Sequence, residues 1–117
     1  MEEFKVSFDL AFWYQSFSPT AESAARVYSQ LTEGHVREVE ESPAIEAFCQ
    51  DVYSIYPDMT ERNMHDSPWA SPLYVTGGCV IAAVSWSRSD EVCPVLLELA
   101  SRHGLVAYNP QTREVYD

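Results

Sequence analysis

The sequence predicts one α+β domain in which an antiparallel sheet is interleaved with three helices. Three observations predict it: a period-2 run near the start, two proline-led helix starts, and a glycine pair between β-prone segments. With 117 residues, 46% of them hydrophobic, the chain can fill one core but not two, so residues 1–117 are read as a single domain.

Val6, Phe8, Leu10, Phe12 and Tyr14 alternate with Ser7, Asp9, Ala11, Trp13 and Gln15, the pattern of a half-buried strand. Ser18-Pro19 then offers an N-cap and a first-turn proline, and Ala24, Val27, Tyr28 and Leu31 recur at helical spacing. A helix is expected from about Pro19 to Glu33, with Gly34 ending it. Ser42-Pro43 repeats that start signal, and Ile45, Phe48, Cys49, Val52, Tyr53 and Tyr56 mark one face of a second helix ending before Pro57. Between the helices, Val36 and Val39 interleave with Glu38, Glu40 and Glu41, a segment open to reading as loop or strand.

Residues Pro57 to Pro72 hold three prolines and no sustained period. Loops of this length are uncommon and often form binding surfaces or packed lids. Leu73 to Thr76, Gly77-Gly78, and Cys79 to Trp86 read as a hairpin joined by a glycine pair able to take the positive φ of a tight turn. Ser87 or Ser89 is expected to cap a third helix with Asp90 and Glu91 in its first turn, Pro94 either distorting it or delaying its start, and Gly104 at its end. Leu105 to Tyr108 is a further strand, Asn109 to Thr112 a turn, and Arg113 to Tyr116 a short terminal strand. This order is the βαββαβ of a ferredoxin-like fold with an enlarged first crossover of two helices. Helices would cover one sheet face and leave the other partly open.

Eighteen acidic against seven basic residues give a formal charge of −11. Such a field repels phosphate backbones and anionic lipid, so neither nucleic acid nor membrane is expected as a partner, and a basic protein surface is the natural complement. The acidic start and the lack of a long apolar run predict a cytoplasmic protein. Cys49, Cys79 and Cys93 are odd in number, far apart and set in apolar stretches, so they read as packed thiols.

Catalytic signatures are weak throughout. His65-Asp66-Ser67 holds the side chains of a hydrolase triad, but adjacent residues cannot converge in triad geometry. Cys93 and His103 stand nearly three helical turns apart, and His103 is better placed to support a helix C-terminus. A metal site would need scattered ligands such as His35, His65 and Cys79, and no cofactor is expected. Asp9 projects from the face opposite Phe8 and Leu10 and reads as a solvated open-face residue. Trp13, Trp69 and Trp86 allow two readings: core residues, or anchors gathered with Asp9, Asp66 and Arg88 at one rim for a partner.

The motifs Phe8-Asp9-Leu10-Ala11-Phe12-Trp13-Tyr14, Asp66-Ser67-Pro68-Trp69-Ala70, Ser85-Trp86-Ser87-Arg88 and His103-Gly104-Leu105-Val106-Ala107-Tyr108-Asn109-Pro110-Gln111 resemble those of a family of small bacterial proteins of uncertain function. Some members resemble immunity proteins of polymorphic toxin systems, Rhs-type effectors included. The resemblance implies a small acidic protein, itself not an enzyme, that binds and occludes the active site of a cognate toxin domain such as an ADP-ribosyltransferase or nuclease. Asp51, Asp58, Glu61 and Asp66 are the expected acidic contacts, with Trp69 as anchor and Asp9, Trp13, Trp86 and Arg88 as further partner-facing residues; the free protein would be a monomer or weak dimer. The competing expectations are a small enzyme around Asp9, Trp13 and Arg88 on the open sheet face, or a ligand-binding or regulatory module that dimerises through that face.

Overall fold

The computed structural model describes residues 7–35 and 39–117. Among these residues five strands and three α-helices follow in the order β1 (Ser7–Tyr14), α1 (Ala21–Thr32), α2 (Pro43–Ile55), β2 (Tyr74–Val75), β3 (Cys79–Ser85), α3 (Ser89–Arg102), β4 (Leu105–Asn109) and β5 (Glu114–Tyr116). The strands form one sheet in the order β2-β3-β1-β4-β5, every neighbouring pair antiparallel. The fold is α+β, with β1 at the centre of the sheet. Among the described residues no helix is long and apolar enough to cross a membrane.

The two faces of β1 have different neighbours. Leu10 and Phe12 pack with Phe48 and Val52 of α2 and with Val92 and Leu96 of α3, and the Phe12 and Phe48 rings lie 4.8 Å apart. On the opposite face Ala11 and Trp13 join Cys79, Val106 and Tyr108 in a second core cluster that includes Ala24 and Leu31 of α1. Helices therefore cover both faces, which corrects the expectation of helices on one face and a second face left open. The reason lies within the alternation itself. Ser7 and Asp9 make half of the second face polar, but Ala11 and Trp13 make its other half apolar, and the hydrophobic effect brings the amphipathic α1 over that half.

Helix starts follow local hydrogen bonding. Thr20, not Ser18, caps α1: its hydroxyl accepts from the Ser23 amide at 3.0 Å while the Ser23 hydroxyl accepts from the Thr20 amide at 3.0 Å, satisfying two donors reciprocally. Ser42 caps α2 through the Ala44 amide with Pro43 as its first residue, as the sequence predicts. No side chain caps α3. A short 3-10 turn, Trp86–Arg88, leads into it, and the Ser89 hydroxyl donates to the Trp86 carbonyl at 2.8 Å. Pro94 sits inside α3.

The Gly77-Gly78 turn forms without positive φ at either residue. What needs glycine there is close approach: a Cβ on Gly78 would stand 2.8 Å from the Glu40 carbonyl oxygen, because the chain entering α2 lies against the hairpin tip. The Ser42 amide donates to the Gly77 carbonyl at 3.0 Å. Of the segment the sequence left open, residues 36–38 lie outside the described residues. On the β4 side of β1, where pairing with β4 stops at Ala11, Gln111 continues the ladder with its side chain. Its Oε1 accepts from the Asp9 amide at 2.8 Å, and its Nε2 donates to the Asp9 carbonyl at 2.7 Å.

Candidate interaction surface

The long segment from Pro57 to Pro72 is a packed lid. Its deepest point is Trp69, 1% exposed, whose indole nitrogen donates to the Pro57 carbonyl at 3.0 Å and whose ring meets Tyr56 edge-on. On either side of Trp69 the backbone joins the outer edge of β3: the Ala70 amide donates to Ala83, and Pro68 accepts from the Ser85 amide, both at 2.7 Å. The lid thus extends the short β2 and shields an edge that would otherwise offer free donors and acceptors.

Asp58 holds the start of the lid. Oδ1 accepts from the amides of Met59 at 2.9 Å and Leu73 at 3.1 Å, Oδ2 accepts from the Tyr53 hydroxyl at 3.4 Å, and the Asp58 carbonyl accepts from Asn63 Nδ2 at 2.9 Å. Burial, followed by the nearby Asp58 carboxylate, pushes the Tyr53 phenol up to about 12; burial, then Asp58 and Glu46, pushes the Cys49 thiol up to about 11. Both groups stay protonated at neutral pH. Cys93 is likewise pushed up to about 11, mainly by burial, and all three cysteines are free thiols in the interior.

The nine residues expected to face a partner separate into three groups. Trp13, fully buried, and Trp69 belong to the core, so neither can anchor a partner; their large apolar rings are worth more inside than at a rim. Asp58 spends its carboxylate oxygens on Met59, Leu73 and Tyr53, and Asp9 is half-buried on the α1 side, its Oδ1 accepting from the Ser7 hydroxyl at 3.0 Å. Asp9 and Trp13 therefore share a face of β1 that is partly covered, not a rim with Trp69.

The remaining five stay accessible. Asp51 is exposed on α2 and pairs with His103 at 2.7 Å, joining α2 to the end of α3; Glu61 and Asp66 are exposed on the lid. Arg88 grips the Glu91 carboxylate with two bonds and donates to the Asp66 carbonyl at 3.1 Å, which ties the middle of the lid to the start of α3. Trp86 is 45% exposed and packs on Phe8 with ring centroids 5.3 Å apart.

Sequence reasoning missed one feature of this surface. Met59, Thr60, Glu61, Met64 and Pro72 line a shallow apolar groove of about 320 Å³, with Met64 49% exposed. Two methionines five residues apart, in a stretch with three prolines, carry no period, so pattern alone does not reveal them as one surface. Among the described residues no group of His, Cys, Asp and Glu is placed to hold a metal ion. No protein-family model, curated protein or solved structure matches this chain.

Proposed function

We propose that this chain is a cytoplasmic immunity protein that binds and occludes the active site of a cognate antibacterial toxin domain bearing a basic surface. The observation that carries the reading is a lid whose carboxylates Glu61 and Asp66 point outward while Asp58 and Trp69 hold its backbone in place. A surface ordered before contact loses little conformational freedom on binding, and a blocking protein requires no reaction centre of its own. A formal charge of −11 accelerates encounter with a basic cleft, and carboxylates can take the place of substrate phosphate there. An ADP-ribosyltransferase or a nuclease domain fits that description. A ferredoxin-like assignment of the fold belongs to the same proposal: the βαββαβ order through β4 supports it, while β5 and the position of α1 depart from it.

The test is co-purification with the C-terminal toxin domain encoded immediately upstream, joined to a growth assay with and without this chain. A stable complex, rescued growth and association that slows with added salt are expected. Absence of both complex and rescue overturns the proposal.

A further inference from the structure

We infer that the groove formed by Met59, Met64 and Pro72 receives a single lysine or arginine side chain from a basic protein partner, its aliphatic stem lying on the apolar floor and its cationic head meeting Glu61. The inference rests on the reading of the chain as a binding protein and names the contact through which it binds. Three features of the groove carry it. The floor is apolar, with Met64 and Pro72 exposed and Met59 half-buried beside them, and the flexible methionine thioethers mould to a long side chain. Glu61, an exposed carboxylate, is the one charged residue in the lining. The surrounding lid contains Asp58, Glu61 and Asp66 against Arg62 as its only arginine or lysine, so the local field favours a cation. A purely apolar guest would leave Glu61 unused, and a compact cation would leave the methionines uncovered. A long side chain with an apolar stem and a charged head satisfies both.

The groove is also formed in advance. Asp58 accepts from the Met59 amide, Asn63 Oδ1 accepts from the Thr60 amide at 2.7 Å, and the Asn63 carbonyl accepts from the amides of Asp66 and Ser67. These bonds hold the Thr60 to Ser67 turn, and with it Glu61 and Met64, whether or not a partner is present.

The test uses the full chain labelled with carbon-13 at the methionine methyls and titrated with two capped tripeptides, glycyl-arginyl-glycine and its norleucine counterpart. The arginine peptide is expected to shift the Met59 and Met64 methyl signals saturably, with the norleucine peptide and the Glu61→Gln variant each about threefold weaker, as a partly exposed ion pair allows. Equal response to both peptides, or an arginine response unchanged in Glu61→Gln, overturns the inference. With the toxin domain in hand, Glu61→Gln and Met64→Ser are each expected to raise Kd about tenfold, the size of a central contact. A complex indifferent to both variants overturns the groove and leaves the immunity reading standing; failure to find a toxin overturns that reading and leaves the peptide result to decide the groove.

Discussion

The indole N–H of Trp69 reaches back twelve residues to the Pro57 carbonyl, 3.0 Å away, and so closes the lid on itself while the ring fills the core between sheet and α2. This one side chain provides both the floor of the lid and its latch. Trp69→Ala is expected to destabilise the fold by about 3–5 kcal/mol, since it opens a large cavity as well as removing the bond. Trp69→Phe keeps most of the volume and is expected to cost about 1–2 kcal/mol. Urea unfolding monitored by circular dichroism measures both, and a Trp69→Ala variant within 1 kcal/mol of the parent would show that the lid is dispensable to the core.

Asp58 is expected to act on the lid and on the end of α2 that it touches through Tyr53, and not on the sheet as a whole. In Asp58→Ala the amides of Met59 and Leu73 lose their acceptor, which costs about 1–3 kcal/mol and speeds their hydrogen exchange. Asp58→Asn retains an acceptor oxygen and should recover most of that protection. Uniform loss of protection across the sheet in Asp58→Ala would contradict this local role.

Gly78 and Gly77 should respond differently to alanine. At Gly78 the new methyl meets the Glu40 carbonyl oxygen at 2.8 Å and Val39 Cγ2 at 2.9 Å, and backbone must move, so a loss of about 1–3 kcal/mol is expected. At Gly77 the nearest atoms belong to the Glu41 side chain, 3.1 Å away, which can swing aside, and the loss should stay below about 1 kcal/mol. Thermal melts of the two variants compare them directly. Equal shifts would mean that the chain entering α2 yields as easily as a side chain.

Stability should fall on the alkaline side. Cys49 and Cys93 are pushed from 9.0 to about 11 by burial, so between those limits the unfolded chain releases protons that the folded chain retains. Their contribution is complete below pH 9 and lost as pH rises towards 11, on the order of 2 kcal/mol per thiol. Above pH 10 the Tyr53 phenol, raised to about 12, adds to the same trend. Unfolding free energies measured across this range, with a Cys49→Ala, Cys93→Ala double variant whose slope is shallower from pH 9 to 10, check the sign and the source.

Much of the local structure was legible because its causes are local. Ser42-Pro43 starts α2, Pro57 follows its end, and Gly104 at φ 68° follows α3; in each case a few adjacent residues decide the backbone. Where two local signals competed, at Ser18-Pro19 and Thr20-Ser23, the pair able to satisfy two amides prevailed. Legibility of the surface was poorer. Exposed Glu61, Asp66 and Trp86 could be named from composition, but Asp58 and Trp69 look no different in sequence from partner-facing residues. Their inward roles depend on partners distant in sequence, Pro57 for the Trp69 indole and Leu73 for the Asp58 carboxylate, which only the folded lid brings to them.

By itself, then, the sequence determined the α+β class, the element order and the acidic character of the molecule, all properties carried by short-range periodicity, capping and charge. Tertiary structure alone decided which faces are covered. Alternation along β1 states which side chains share a face but not what lies against it, and α1 chose the half of the second face that Ala11 and Trp13 make apolar. The Gln111 clasp on Asp9, 102 residues away, and the Asp51–His103 link, 52 residues apart, arise from the same cause: pairing across such separations exists only after the sheet and its helices have closed around the core.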